Sequence, residues 1–160
     1  MRRALARDDY IAEAAEENLQ NETLSPHPNF VTQTGLKALE RKLQIARAAL
    51  DEAQTAEKAG DKNRRSERPL RDIEHYSKLL RTAQVVTPQA NPTKIGFGHL
   101  VSVRYDDGRE FTLRIVGEDE ADPPQGKVSF VSPVAQKLIG MSVGDRTAVS
   151  EHEIEILDIF

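Results

Sequence analysis

The stretch that decides the fold runs from residue 111 to residue 145: FTLRIVGEDEADPPQGKVSFVSPVAQKLIGMSVGD. It opens with an apolar run typical of a strand, returns after a polar turn as the strand KVSFVS, and then has the pattern of a short helix. Ser132 is the expected N-cap of that helix, Pro133 its first residue and Gly140 its end. The stretch therefore predicts a sheet with one helix packed on it.

More strands are predicted on either side. HLVSVRY, residues 99–105, alternates in polarity and leads through the turn DDG into the strand REFTLRIVG. The C-terminal residues predict one or two further strands. We expect residues 94–160 to form an α+β domain with an antiparallel sheet and one short helix. TPQANPT, residues 87–93, has two prolines and no periodicity, and it is expected to be a linker.

Upstream of the linker the apolar period becomes helical. The first pattern is Leu36, Leu39, Leu43, Ala46, Leu50 and Ala53. Thr32 or Thr34 can cap this helix, and Gly60 is its expected end. The second pattern starts at Pro69, which suits a first helical turn, and comprises Leu70, Ile73, Tyr76 or Ser77, Leu80 and Ala83.

Each helix has one narrow apolar stripe, and the connection between them is short. Residues 31–86 are therefore predicted to form an antiparallel helical hairpin, or coiled coil. Unless residues 61–68 are also helical, this hairpin ends in an irregular tip. Residues 1–30 are expected to be an N-terminal extension with a short helix-capable piece, DDYIAEAAEENL, that is stopped by SPHPN.

Composition excludes several classes of protein. The chain has 160 residues, 38% of them apolar and 30% charged, and no cysteine, so disulfides and cysteine zinc sites are excluded. This suits a reducing cytoplasm. No apolar run approaches the roughly 20 residues of a membrane span. The histidines, His27, His75, His99 and His152, lack zinc-ligand spacing.

The net charge of −4 conceals a segregation along the chain. Residues 1–30 carry 3 basic and 6 acidic side chains, residues 31–86 carry 12 and 8, and residues 87–160 carry 7 and 12. A basic middle between acidic ends is not the pattern of a general DNA-binding protein. It allows one basic element to enter a negatively charged place while the rest of the molecule stays outside.

Several motifs in order resemble the Gre family of bacterial transcript-cleavage and elongation factors. IVGEDEAD, SPVAQKLIG and VGD, at residues 115–122, 132–140 and 143–145, have the order and spacing of that family's C-terminal domain. TAQVV, residues 82–86, resembles the exit from the family's coiled coil, and GLKALERKL, residues 35–43, resembles its entry. The resemblance covers about residues 34–160.

This resemblance implies a coiled-coil hairpin joined to an FKBP-like domain, and it implies RNA polymerase as the partner. The globular domain would dock on the rim of the polymerase's secondary channel, and the hairpin would point toward the active centre. Ser132 and Pro133 match the family's docking loop, although Val131 stands where many members have Asn or Asp. The resemblance implies no cofactor, metal or enzymatic activity of the chain's own, and neither specific DNA nor a membrane as partner.

The family's cleavage factors carry two acids three residues apart after Gly-Asp at the hairpin tip. Such carboxylates are hard oxygen ligands that can hold the second Mg²⁺ of the polymerase and orient the attacking water. Here Gly60 and Asp61 are present, but Arg64 stands three residues later and the next acid is Glu67. Asp61 and Glu67 are the candidates for metal delivery. Alternatively, Asp61 caps a turn or balances nearby cations, and Glu67 is an ordinary acid of a helix start.

The tip also carries a basic cluster: Lys62, Arg64, Arg65 and Arg68. It can contact nascent RNA or polymerase carboxylates, or it can be a solvated tip without a partner. A close alternative function is therefore an Rnk-like or cleavage-inactive factor that occupies the secondary channel. The acidic turn GEDEAD, residues 117–122, resembles a Ca²⁺ loop in composition alone, since it lacks EF-hand spacing, and it is expected to be a solvated turn.

A third possibility belongs to another class, an FKBP-fold peptidyl-prolyl isomerase or chaperone module. Such an isomerase needs an aromatic-lined pocket. The aromatic residues of the C-terminal domain are expected to be core instead; they are Phe97, Tyr105, Phe111, Phe130 and Phe160. Fold alone does not carry function.

Overall fold

The computed structural model describes residues 25–55 and 59–160. Most of the predicted N-terminal extension lies outside the described residues. Two helices come first in the described chain, α1 at Gln33–Gln54 and α2 at Ala59–Thr82. They pack against each other through the apolar stripe of α1, in which Leu39, Leu43, Ala46 and Ala53 are buried. The predicted antiparallel hairpin is confirmed.

The boundaries of the two helices differ from the prediction. α1 ends at Gln54 rather than at Gly60, and α2 begins at Ala59 rather than at Pro69. The segment 61–68 is therefore helical, and the tip is the short connection between Gln54 and Ala59. Pro69 lies inside α2 and is buried. A proline inside a helix is destabilising because it removes one hydrogen bond. For this reason the sequence favoured Pro69 as the start of a helix.

The inward face of α2 departs from the predicted stripe at Leu70. Leu70, which was expected on the apolar stripe, is 53% exposed, whereas Pro69 is buried. Ser66, Ile73 and Tyr76 lie at helical spacing from Pro69 and are half-buried. With 22 and 24 residues, the two helices are about 33 Å and 36 Å long at 1.5 Å per residue.

A pair of two-residue strands closes the base of the hairpin. β1, Phe30–Val31, precedes α1, and β2, Gln84–Val85, follows α2. The two strands are parallel, and the backbone N–H of Gln84 donates to the carbonyl of Asn29 at 2.8 Å. Asn29 Nδ2 also donates to the carbonyl of Leu79 at 2.9 Å. The chain entering the hairpin is thus tied to the chain leaving it.

The C-terminal domain is a five-stranded sheet in the order β5-β4-β3-β7-β6. Its elements are β3 (Leu100–Tyr105), β4 (Glu110–Val116), β5 (Lys127–Ser129), helix α3 (Pro133–Leu138), β6 (Arg146–Val149) and β7 (His152–Ile159). The predicted α+β class is confirmed. One pairing departs from the expected antiparallel sheet, because β5 runs parallel to β4. The polar segment between them contains two short 3₁₀ turns that carry the chain back before β5 starts.

The core of this domain lies between the sheet and α3. Its most deeply buried side chains are Val101, Val103, Leu113, Ile115, Val128, Ala135, Leu138, Ile154 and Ile156. Inward positions alternate along β3, where Val101, Val103 and Tyr105 are buried, as the period of two predicts. α3 starts as expected, because Ser132 Oγ accepts the N–H of Ala135 at 3.2 Å.

The acidic turn joins the two parts of the molecule. Thr32 caps α1 by accepting the N–H of Gly35 at 3.0 Å, so Thr32 rather than Thr34 is the cap. The backbone N–H and the hydroxyl of Thr32 both donate to the Glu120 carboxylate, each at 2.6 Å. The expectation of a solvated turn is therefore wrong for Glu120. The sequence could not show this contact, since 88 positions separate the two residues.

Close packing reinforces this contact. A Cβ atom at Gly35 would overlap the side chain of Glu120, and one at Gly117 would overlap the carbonyl oxygen of Phe30. The ring of Phe30 lies 6.0 Å from that of Phe97 and 5.3 Å from that of Phe130. The base of the hairpin is thus held by a charged hydrogen-bonded contact beside an aromatic cluster.

The contact between Gly35 and Glu120 predicts a measurable coupling. Gly35→Ala should destabilise the wild-type chain, because the methyl group and the Glu120 carboxylate cannot share the same space. In a Glu120→Ala background the same change should be neutral or stabilising by up to about 1 kcal/mol, since glycine is a poor helix residue. Urea unfolding of the four chains of this double-mutant cycle measures the coupling free energy. Equal effects of Gly35→Ala in both backgrounds would contradict the contact.

Candidate functional site: the hairpin tip and the start of α3

The tip of the hairpin presents exposed basic side chains on the first turns of α2. Lys62, Arg64, Arg65 and Arg68 are all exposed. Arg68 forms a loose ion pair with Asp72 at 3.9 Å, with 87% of the arginine side chain exposed. Within the described residues the other three form no ion pair. Exposed pairs of this kind contribute little to stability, so the cluster is available to a partner.

Helix geometry decides how the tip acids relate to each other. The backbone of Asp61 lies in the first turn of α2, while its side chain is outside the described part of the chain. Residues three apart lie on one helix face, so Arg64 occupies the position beside Asp61 at which the resemblance predicts a second acid. Glu67 is exposed, but six residues correspond to about 120° of rotation from Asp61. Glu67 therefore does not reproduce the three-residue spacing.

The two residues predicted to dock, Ser132 and Pro133, differ in burial. Ser132 is 7% exposed, and its hydroxyl is used as the helix cap. Pro133 is exposed at the start of α3, and Val131 before it is half-buried. Gln136 Nε2 donates to the carbonyl of Phe130 at 2.6 Å, which holds the loop against the helix. Ser132 thus shapes the loop, while Pro133 is the member of the pair that a partner can touch.

Asp119, next to the interdomain contact, has a shifted pKa. Partial burial raises the pKa of its carboxyl group, and the neighbouring carboxylates of Glu118 and Glu120 raise it further, whereas His75 and Lys42 oppose this rise. The side chain keeps substantial solvent exposure, so the free energy involved is small. His75 belongs to α2 and Lys42 to α1, so Asp119 lies near both helices of the hairpin while it remains exposed.

The aromatic residues do not form an isomerase-like pocket among the described residues. Tyr105 stacks on Phe111 with ring centroids 4.9 Å apart, and Phe97 and Phe130 belong to the interdomain cluster. Phe160 is 60% exposed, so its assignment to the core was wrong. The groove beside Tyr105, of about 400 Å³, is open and lined mainly by charged side chains; they are Arg104, Asp106, Arg146, Glu153 and Glu155.

The described residues contain no cluster of three or more potential metal ligands. No helix in that part of the chain combines the length and the apolar character needed to cross a membrane.

Reasoning from sequence missed Thr32 and Glu120 as residues that position the hairpin. A threonine cap was anticipated, but nothing in a linear pattern pairs it with an acid in a distant turn.

Comparison with known proteins identifies the family. The family described as "Transcription elongation factor, GreA/GreB, C-term" matches residues 89–159. The transcription elongation factors GreA of Helicobacter pylori and Helicobacter acinonychis are each 37% identical over 138 residues, covering 78% of this chain and 82% of theirs. The structure is that of a helical hairpin joined to an α+β domain. The chain belongs to the GreA/GreB family of transcription elongation factors.

Two solved structures are also similar. Gfh1, a GreA factor homologue of Thermus thermophilus, is 20% identical with a TM-score of 0.40, over 84% of this chain and 99% of its own. A GreA/GreB factor of Nitrosomonas europaea is 20% identical with a TM-score of 0.39, over 83% and 98%.

Two aspartates should respond to pH with opposite sign. Because the pKa of Asp119 is raised, its stabilising contribution is present at low pH and is lost as pH rises through the folded-state pKa. Asp119→Asn should therefore stabilise the protein near pH 7, and the gain should vanish toward pH 3, below the ordinary aspartate pKa of about 3.9.

Asp107 is the matched control, because the side chain and backbone of Arg109 donate to its carboxylate and lower its pKa. Asp107→Asn should destabilise near neutral pH, and this loss should disappear as pH falls. Melting temperatures measured across this pH range check both signs. A stabilising Asp107→Asn together with a destabilising Asp119→Asn would contradict them.

Proposed function

We propose that this chain binds RNA polymerase through the secondary channel, with the C-terminal domain on the channel rim and the hairpin inside. Membership of the GreA/GreB family and the two-part architecture support this assignment. The charge segregation supports it as well, since residues 31–86 are net basic and residues 87–160 are net acidic. A basic hairpin is attracted into a channel that leads to acidic catalytic residues and nucleic acid.

The rigid base of the hairpin supports the same proposal. A hairpin about 35 Å long transmits a small rotation at its base into a large displacement at its tip. The contact of Thr32 with Glu120 and the pairing of β1 with β2 oppose such rotation. A factor that must place a few side chains in a distant active centre needs this kind of fixed base.

The single observation that decides the proposed activity is the exposed arginine at position 64. Three residues after Asp61, a guanidinium stands where a second acid is expected, and a guanidinium supplies no oxygen ligand to Mg²⁺. We therefore propose a channel-binding regulator with weak or no stimulation of transcript cleavage. The chain has no reaction of its own in this proposal. Any Mg²⁺ involved belongs to the polymerase, and Asp61 remains the candidate ligand.

Docking should depend on Pro133. Pro133→Asp places a charge on the exposed start of α3 and should weaken polymerase binding at least tenfold, with the melting temperature almost unchanged because the residue is exposed. Asn91→Asp is the control, since Asn91 is exposed in the linker and the change adds the same charge. Binding of fluorescently labelled protein to polymerase core enzyme measures both. Normal binding by the Pro133 variant would place docking elsewhere.

Cleavage should depend on the residue at position 64. In a backtracked complex the wild-type chain should release little RNA, and Arg64→Glu should raise the cleavage rate because it restores two acids three residues apart on one helix face. Arg64→Gln is the matched control that removes the arginine without adding a ligand. The gain in Arg64→Glu should be lost again when Asp61→Asn is added.

The contrary results are equally specific. Strong cleavage by the wild-type chain that survives Asp61→Asn would exclude metal delivery by Asp61. Equal gains from Arg64→Glu and Arg64→Gln would show that removal of the positive charge matters and that the spacing of carboxylates does not.

A further inference from the structure

A continuous row of basic side chains follows the outer face of α2. Its members are Arg64, Arg68, Arg71, His75 and Lys78, which we call the basic ridge. Their spacing of four, three, four and three residues keeps them on one helix face. The first four are exposed and Lys78 is half-buried. The 14 steps from the first to the last residue correspond to about 21 Å.

The ridge has few partners of its own. In residues 25–55 and 59–160 the only ion pair made by a ridge residue is the loose contact of Arg68 with Asp72. Glu67 and Glu74 lie about 60° and 80° from the centre line of the ridge, four residues before Arg71 and Lys78, and they form no ion pair with these cations among the described residues. Asp119 of the C-terminal domain faces its His75 end. This face of α2 therefore keeps an excess of basic side chains, because the five ridge residues have three acidic neighbours on the helix, Glu67, Asp72 and Glu74.

The described chain begins beside one end of this ridge. The side-chain amide of Asn29 donates to the carbonyl of Leu79 and, at 3.1 Å, to the hydroxyl of Thr82 in the last turn of α2. Ser25, the first described residue, is only four positions upstream, a span of at most about 14 Å. The covalent connection to residue 24 is therefore within about 14 Å of Asn29, beside the last turn of α2.

The sequence of residues 1–24 is complementary to the ridge. From residue 8 to residue 24 it has six acidic and no basic side chains. Asp9, Glu13 and Glu16 are spaced four and three residues apart, which matches the spacing of Arg64, Arg68 and Arg71. In the helix predicted for residues 8–19 these acids would share one face. Even in helical form, 24 residues reach about 36 Å, which exceeds the length of the ridge.

We infer that the acidic N-terminal segment, residues 8–24, docks on the basic ridge of α2 through carboxylate–guanidinium pairs. The pairs lie at the protein surface, so the contact is weak, sensitive to salt and readily displaced by a stronger polyanion. Docked in this way, the segment masks the face of the hairpin that would otherwise meet a negatively charged partner. It therefore acts as an intramolecular competitor for that face.

The absence of cysteine from the chain makes a direct test practical. A spin label attached at Ala15→Cys leaves every acid of the segment in place. In the isolated full-length protein it should broaden the backbone amide signals of residues 64–78 more than those of residues 37–47 on α1. The broadening should disappear at an ionic strength of about 1 M, where the Debye length falls to about 3 Å.

Two charge-matched variants distinguish docking on the ridge from non-specific attraction between the acidic segment and any basic surface. Arg64→Gln, Arg68→Gln and Arg71→Gln together should abolish the broadening. Lys37→Gln, Arg41→Gln and Arg47→Gln together remove the same charge from exposed positions of α1 and should leave it intact. Equal broadening in both variants, or none at residues 64–78 in the wild-type chain, would overturn the inference.

The other occupants of the ridge give different results. If the segment docks on a second copy of the chain, broadening will appear in a mixture of two samples. One is spin-labelled protein without ¹⁵N, and the other is ¹⁵N-labelled protein without a spin label. Broadening in this mixture would overturn an intramolecular contact. If single-stranded RNA binds the ridge equally well with and without neutralisation of the five acids at residues 8, 9, 13, 16 and 17, the segment does not mask it, and the inference fails.

The consequence for polymerase rests on the proposed function and is measured separately. Neutralising the same five acids to Asn or Gln should tighten binding to polymerase core enzyme several-fold. If the chain does not bind polymerase at all, the proposed function fails while the spin-label result stands. If it binds but neutralisation has no effect, the segment does not compete at that face and the masking role is overturned.

Discussion

The placement of the hairpin on the C-terminal domain depends on the two hydrogen bonds between Thr32 and the carboxylate of Glu120. The same threonine hydroxyl accepts the N–H of Gly35, so one side chain begins helix α1 and joins it to the C-terminal domain. Hydrogen bonds to a charged acceptor are the stronger kind. This contact is small and partly buried, and it fixes the direction of the hairpin relative to the C-terminal domain. The proposed function requires a fixed direction, because the hairpin is long.

The tip and the base of the hairpin differ in how their charged side chains are paired. At the base, charges are satisfied by specific partners, as in the contact of Thr32 with Glu120, and packing leaves no space for a side chain at Gly35. At the tip, charges such as Arg64 are exposed without a partner among the described residues. An exposed charge without a partner stabilises the fold little, so this charge is available for an interaction with a negatively charged partner.

Replacement of an acid by an arginine at the tip changes the chemistry without changing the scaffold. A carboxylate can hold Mg²⁺, whereas a guanidinium can only bind anions. In the proposed function, the residue at this one helical position decides whether the hairpin stimulates cleavage or only occupies the channel. The acidic segment before Ser25 adds a further possibility, since it offers the basic face of α2 a partner within the same chain.

The sequence by itself determined the hairpin, the α+β domain, the cap at Ser132 and the segregation of charge, because periodicity, capping and composition are local properties. The helix boundaries around Pro69 were predicted wrongly. In the sequence, a buried proline inside a helix cannot be distinguished from a proline that starts one. Only the tertiary structure decided that the acidic turn joins the domains, that β5 is parallel to β4, and that Phe160 is exposed. These features depend on contacts between distant residues, and no local pattern contains them.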